Sequence, residues 1–293
     1  MTTTTFTAKD VQELRQRTGA GMMDSKNALV ETNGNMEAAV ELLRKKGIAR
    51  ADKRAGRQAS EGRIVARVAP DGKTAAVVEV NSETDFVARN EDFVRLVEQI
   101  AEALMKDDSV NGVVASAEGT AFMNRPAGGS TVGEAVKAAV GKIGENIVLR
   151  RYARFTTKDG ALGTYVHHNG KVAVLVEVGG AAGDGATQLA KTVAEHVAAG
   201  VPTVPVAVTR DQVPQDLVDR ERRIFTEQAA DSGKPANIIE KMVGGRIDKF
   251  YKEVTLVDQP WVRDDSKTIA DVVKGAGQGL TIRRFARFQM GQE

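Results

Sequence analysis

Through the first fifty or so residues the apolar positions recur at helical spacing in three short runs. Thr7, with Asp10 three residues on, opens the first as a variant of the capping box; Val11 and Leu14 share one face, and Gly19 ends it. The second is predicted to take Asp24 as N-cap, to carry Ala28, Leu29 and Val30, and to stop at Asn33-Gly34. The third runs through Met36, Ala39, Val40 and Leu43 and is predicted to stop at Gly47, with Lys45 and Lys46 near its negative end. Between the first two, Gly19-Ala20-Gly21-Met22-Met23 reads as a glycine-rich turn bearing two flexible apolar side chains, suited either to filling a gap or to adapting to a binding surface.

The pattern then changes. Ala51 to Glu61 is basic, small and polar, a linker continuing partly as helix. Gly62 to Val68 and Thr74 to Val80 are strand-like runs around Pro70-Asp71-Gly72-Lys73, a hairpin signal. Phe93, Leu96, Val97, Ile100 and Leu104 define one face of a helix. A loop with Pro126 and Gly128-Gly129 follows, then a helix over Thr131 to Gly144 and a strand over Asn146 to Phe155.

This design occurs twice. Asn169-Gly170-Lys171-Val172-Ala173-Val174-Leu175-Val176-Glu177-Val178 lies over Asp71 to Val80, so that Glu177 falls on Glu79. Val193 to Ala198 lies over Leu96 to Ala101, and Arg283-Arg284-Phe285-Ala286-Arg287-Phe288 repeats Arg150-Arg151-Tyr152-Ala153-Arg154-Phe155. A helical run, Thr268 to Lys274, precedes the second closing strand as one precedes the first. The repeat is an α+β unit of hairpin, helices and closing strand. The second copy is longer between about Asp211 and Phe250. There Leu217, Ile224 and Phe225 form one apolar stripe, and Ile238, Ile239, Met242, Val243, Ile247 and Phe250 another, separated by Ser232-Gly233-Lys234-Pro235. So short a connection makes the two helices antiparallel neighbours, an inserted helical hairpin.

The first copy's strand leads into Asn81-Ser82-Glu83-Thr84-Asp85-Phe86-Val87-Ala88-Arg89-Asn90, a loop with an ill-matched pair at its centre. Burying Phe86 is worth about 1.5 to 3 kcal/mol, whereas Asp85 favours water or a partner. Either Phe86 plugs the local core while Asp85 caps the next helix, or the pair is held out for another molecule. The second copy has Gly179-Gly180-Ala181-Ala182-Gly183-Asp184-Gly185 at the same place, so the shared fold does not need the pair. That favours the second alternative.

Composition narrows the chemistry. At 293 residues there is room for two or three domains, and a 42% hydrophobic content supports packed cores. Net charge is +2 from 41 basic and 39 acidic side chains, without a dominant phosphate-binding footprint. The absence of cysteine removes disulfides, thiolate nucleophiles and thiolate metal sites. Met1-Thr2-Thr3-Thr4-Thr5-Phe6 has neither a basic region nor an apolar stretch, and no run has the length of a membrane span, so the cytosol is the expected compartment.

Enzyme signatures are poor. No G-x-x-x-x-G-K-[ST] is present, and Gly128-Gly129-Ser130-Thr131 reads as loop plus helix N-cap. His167-His168 is an adjacent pair at a hairpin end, without metal-ligand spacing, and no metal or cofactor is expected. Glu79, Glu83 and Asp85 are the carboxylates a hydrolase reading would use. The arginine-rich closing strands give another alternative, an RNA-binding protein, although alternating arginine and aromatic residues equally fit a half-exposed strand.

Four colinear motifs carry a resemblance: Leu14-Arg15-Gln16-Arg17-Thr18-Gly19-Ala20-Gly21-Met22-Met23-Asp24, Glu83 to Asn90, Ile143-Gly144-Glu145-Asn146-Ile147, and Ser232-Gly233-Lys234-Pro235. Together they closely resemble the bacterial elongation factor Ts family across essentially the whole chain. The resemblance implies an α+β protein with a ubiquitin-associated-like three-helix module (1–55) and a duplicated core with small antiparallel sheets. The core would comprise an N-subdomain (56–157) and a C-subdomain (158–210 and 252–293), with the coiled-coil hairpin (211–251) inserted. The implied activity is guanine nucleotide exchange on elongation factor Tu, without covalent chemistry. By motif, Thr84, Asp85, Phe86 and Val87 match the segment that dislodges the partner's Mg2+. Leu14, Arg15, Met22, Met23, Ile143, Gly144, His168 and Val262 match partner contacts. Arg263 stands where the family has an apolar residue.

Overall fold

In the computed structural model, which describes residues 6–230 and 234–292, Thr7 opens α1 (Ala8–Thr18) with a complete capping box. Thr7 Oγ1 accepts the Asp10 N–H and the Asp10 carboxylate accepts the Thr7 N–H, which satisfies two otherwise orphaned donors. Gly19 closes the helix in the left-handed conformation. α2 (Met22–Glu31) begins before the expected Asp24: Gly21 is its N-cap, and Asp24 sits in the first turn, its charge at the helix's positive end. Met22 and Met23 are therefore the first helical residues rather than part of a turn. Asn35 caps α3 (Met36–Arg54), which runs through Gly47 instead of stopping there. Val11, Leu14, Ala28, Leu29 and Ala39 form the core of this three-helix module.

The hairpin β1 (Glu61–Val68) and β2 (Thr74–Ser82) follows, then the single turn α4 (Asp85–Ala88) and the longer α5 (Glu91–Met105). α5 buries Phe93, Leu96, Val97, Ile100 and Leu104, the face its periodicity predicts. After β3 (Gly112–Val114), the stretch expected to be loop carries a two-stranded hairpin, β4 (Pro126–Ala127) and β5 (Ser130–Thr131). Pro126 sits at the first position of a two-residue strand, where its missing N–H costs little. α6 (Val132–Ile143) has a Thr131/Glu134 capping box and ends at left-handed Gly144, and β6 (Ile147–Thr156) completes the first repeat.

Gly47 continues α3 because α6 lies against it. A Cβ built on Gly141 would be 3.0 Å from the Gly47 Cα. The close approach lets the two backbones pack directly and offsets the roughly 1 kcal/mol that glycine costs inside a helix.

The second repeat consists of β7 (Gly160–Val166), β8 (Val172–Gly179), α7 (Asp184–Ala199), α8 (Gln215–Ala230), α9 (Ala236–Val254), β9 (Pro260–Trp261), β10 (Asp264–Thr268), α10 (Ile269–Ala276) and β11 (Thr281–Gln289). β7 and β8 are antiparallel from Gly160 opposite Gly179 to Val166 opposite Ala173. Strand order is β1-β2-β6-β3 in one sheet and β11-β8-β7 in the other, so in both the closing strand lies beside the hairpin's second strand. The repetition extends to side chains: Arg151 Nε lies 2.7 Å from Glu79, and Arg284 Nε lies 2.6 Å from Glu177. Val174, Val176, Leu189, Val193, Leu256 and Ile269 belong to the second repeat's core.

α8 and α9 form the inserted hairpin. Leu217 and Val218 at the start of α8 cluster with Phe250, Tyr251 and Val254 at the end of α9, while Phe225 and Ala229 meet Ile239 and Val243, so the helices run antiparallel. Of the expected connection, Ser232 and Gly233 lie outside the described residues; Pro235 is the N-cap of α9.

The fold is α+β. By contacts the chain forms two compact units, the described parts of Met1–Val65, Val78–Ala153 and Gln289–Glu293 in one, and Ala66–Val77 with Arg154–Phe288 in the other. No helix among the described residues is long and apolar enough to cross a membrane.

Candidate partner-binding site

The loop after β2 is an anchored turn. Thr84 is the N-cap of α4, its Oγ1 accepting the Val87 N–H at 3.4 Å. Asp85 caps nothing: the cap of α5 is Asn90, whose Oδ1 accepts from the Asp92 and Phe93 N–H groups. The Asp85 carboxylate instead faces Arg89 at 3.2 Å, one helical turn on. Phe86 is 82% exposed, so it does not plug the core. Of the two alternatives open in the sequence, the one with Phe86 buried and Asp85 as cap is not what the chain adopts.

What holds the turn is the segment after α6. Glu145 accepts two hydrogen bonds from Thr84, from its N–H at 3.0 Å and from its hydroxyl at 2.6 Å. Glu83 accepts the Asn146 N–H at 2.6 Å, and the Asn146 side chain donates to the Arg57 carbonyl at 2.7 Å. Gly144 makes this reach possible: at φ 93° it turns the chain out of α6 so that Glu145 meets Thr84. Lys142 adds a bond to Asp92 at 2.7 Å, and hydrogen bonds from Lys142 and then Arg95 hold the Asp92 carboxyl below its ordinary pKa. Thr84 and Ile143-Gly144, far apart in sequence, thus belong to one surface. Neither Glu145 nor Glu83 was singled out from sequence for this role. The available signals were their places beside Gly144 and Thr84 in the two motifs.

In the three-helix module, Met22 and Met23 are 59% and 64% exposed, and Val30, two turns along α2, is exposed as well. Arg15 is exposed, whereas Leu14 is fully buried in the module's core, where it supports the surface and offers no side chain to it. A cleft of about 810 Å3 lies between the α1–α2 corner and α6. Arg17, Arg44, Lys46 and Lys142 on its walls are paired with Glu37, Glu134, Glu31 and Asp92.

The remaining expected contacts lie in the other unit. His168 is exposed at the β7–β8 turn, its ring 4.2 Å from that of His167, whose Nδ1 is 3.0 Å from the Tyr165 hydroxyl. Val262 is 42% exposed between β9 and β10, and its N–H donates to buried His196. Arg263 is paired with Glu195. Among the described residues no group of three or more His, Cys, Asp or Glu could hold a metal ion.

The carboxylates and arginines of the other readings are engaged. Glu79 is buried and paired with Arg151, while the partly exposed Glu83 accepts the Asn146 N–H and the half-exposed Asp85 pairs with Arg89. Arg284 is bonded to Glu177 and stacked 4.0 Å over the Phe155 ring, and Arg283 reaches Asp159 and Glu177.

Residues 83–292, from the anchored loop to just beyond β11, match the family model described as Elongation factor TS. The chain is 48% identical over 289 residues to the elongation factor Ts of Thioalkalivibrio sulfidiphilus, covering 98% of this chain and 93% of that protein. The chain belongs to the elongation factor Ts family. Similar agreement holds with the elongation factor Ts of Methylococcus capsulatus, at 45% identity over 98% of this chain and 92% of that protein. With that of Aquifex aeolicus it is 43% over 97% of both. Membership of the elongation factor Ts family gives the chain a role in translation elongation.

Proposed function

We propose that this chain is a guanine nucleotide exchange factor for elongation factor Tu in the cytoplasm, acting without covalent chemistry. The observation that carries this reading is the exposed Phe86 at the head of α4, held out by the bonds from Thr84 to Glu145. In a GTPase, GDP is retained partly through Mg2+ bridging its phosphate to protein oxygens, and Mg2+ tolerates little departure from octahedral geometry. Phe86 is the apolar wedge that enters the partner's nucleotide domain beside that ion, with Asp85 as its polar neighbour and Thr84 and Val87 fixing the turn. Displacing the ligands releases the ion, and the phosphates lose much of their hold. GDP and this chain then weaken one another's binding by the same factor, as linkage requires. Arg15, Met22, Met23, Ile143 and Gly144 supply contacts from one unit, His168 and Val262 from the other, with Leu14 beneath the first surface.

The test is release of labelled GDP from purified elongation factor Tu, with and without this chain. Phe86→Ala is expected to slow stimulated release by about 100-fold, the order seen when a positioned group is lost, while the thermal melt stays unchanged. Undiminished stimulation by a folded Phe86→Ala protein would remove the wedge role.

A further inference from the structure

The order of α4 is not explained by α4. Its four residues are too few to sustain a helix, since one turn fixes many dihedral angles for a single hydrogen bond. None of the four is fully buried, with Val87 and Ala88 only partly covered and Phe86 out in solvent, so packing alone does not hold it either. A loop this short, left to itself, gains by folding Phe86 down onto apolar surface. Something must oppose that collapse, and two of the bonds placed to do so are accepted by Glu145.

Glu145 uses both carboxylate oxygens on Thr84, one on the N–H and one on the hydroxyl. The Thr84 hydroxyl proton is thereby committed to Glu145, which leaves the oxygen's lone pairs to accept the Val87 N–H and close the turn around Phe86. Ser82 Oγ fixes the preceding peptide by donating to the Thr84 carbonyl at 3.0 Å. In the opposite sense, Glu83 takes the N–H of Asn146, the residue after Glu145. Each segment therefore supplies a carboxylate to the other's backbone, and charged acceptors make these the stronger class of hydrogen bond.

We propose that Glu145 is a positioning residue for exchange: it couples the Ile143-Gly144 contact segment to the Phe86 wedge, so that binding at the former drives the latter into the nucleotide site. This rests on the exchange reading above. Without Glu145, the partner would still be bound through Met22, Met23, Ile143 and Gly144, but Phe86 would arrive on a loose loop. Binding energy would then no longer be spent on the distortion that releases the ion. The signature is a fall in maximal rate rather than in affinity.

The experiment measures stimulated GDP release from elongation factor Tu as a function of the concentration of this chain. It compares wild type, Glu145→Ala, Glu145→Gln, Phe86→Ala and the Glu145→Ala/Phe86→Ala double variant, with a thermal melt for each. Glu145→Ala is expected to lower the maximal rate about 10- to 100-fold, as for a misplaced reacting group, with the half-saturating concentration little changed. Glu145→Gln, which keeps one acceptor, should fall between Glu145→Ala and wild type, and serves in its place if the alanine variant does not fold. In the Phe86→Ala background Glu145→Ala should cost nothing more, because a residue that acts only through Phe86 has nothing left to position. Losses that add in the double variant, a loss confined to half-saturation, or rates equal to wild type in both Glu145 variants would each overturn the proposal while leaving the exchange reading standing. Failure of the wild-type chain to stimulate release would overturn both.

Discussion

His196 Nε2 lies 2.9 Å from the Gln259 side-chain oxygen, inside the second repeat. The Val262 N–H points at the other ring nitrogen at 3.3 Å, so Nδ1 carries the lone pair and Nε2 the proton. The Gln259 amide in turn donates to the Thr203 carbonyl at 2.9 Å and to that of Glu253 at 2.5 Å. Burial pushes the His196 pKa below 6.5, outweighing the opposing effect of Gln259. The unfolded chain thus takes up this proton more readily than the folded one. The contribution to stability is complete above about pH 6.5 and drains as pH falls below it, at no more than about 1.4 kcal/mol per pH unit. Thermal melts between pH 7.5 and 5.5 should show wild type losing stability, and His196→Asn, weaker throughout, should show a flatter dependence over the same range.

The paired carboxylates of the two repeats should respond unequally to truncation. Glu79 and Arg151 retain 2% and 12% side-chain exposure, whereas Arg284, the partner of Glu177, retains 33%. Glu79→Ala removes the buried carboxylate opposite the Arg151 guanidinium and is expected to cost about 3 to 5 kcal/mol. Glu177→Ala leaves Arg283 and Arg284 better hydrated and should cost less. Urea unfolding of the two variants measures the difference.

The glycine crossing of α3 and α6 makes an asymmetric prediction. A Cβ at Gly141 meets the Gly47 Cα at 3.0 Å, but a Cβ at Gly47 comes only to 4.0 Å from the Gly141 Cα. Gly47→Ala should therefore be neutral or gain up to about 1 kcal/mol from helix propensity. Gly141→Ala must push the helices apart. Paired calorimetry should place the Gly141 variant below wild type and the Gly47 variant at or above it.

Met22 and Met23 are exposed at the start of α2, so alanine at both should leave the melting temperature nearly unchanged. On the proposed exchange reading, a titration of the double variant with elongation factor Tu should show a loss of about 1 to 2 kcal/mol, roughly 5- to 30-fold in affinity.

Much of this was legible in the sequence because local and global signals agreed. The capping residues Thr7 and Thr131, the Phe93 to Leu104 face and the β1–β2 hairpin follow from spacing alone. The errors have physical causes, some tertiary and one local. Gly47 looked like a stop because the approach of α6 could not be read from α3. Asp24 looked like a cap because the extended Gly21 carries no side chain to announce itself. The turn at Phe86 was legible as an oddity, but its anchor, Glu145, lies 61 residues from Thr84, and only the fold brings them together. Leu14 illustrates the converse: a motif match to a contact surface does not say which of its residues lies underneath.

The exposure of Phe86 has a kinetic side. The ring stands in solvent, clear of the chain's own cores. A protein that hides its binding element and opens only a fraction of the time has its apparent affinity reduced by that fraction. On the exchange reading proposed above, no such factor applies at this turn: an encounter in the right orientation meets a ring that is already exposed, and the energetic penalty of leaving it unburied is borne in advance.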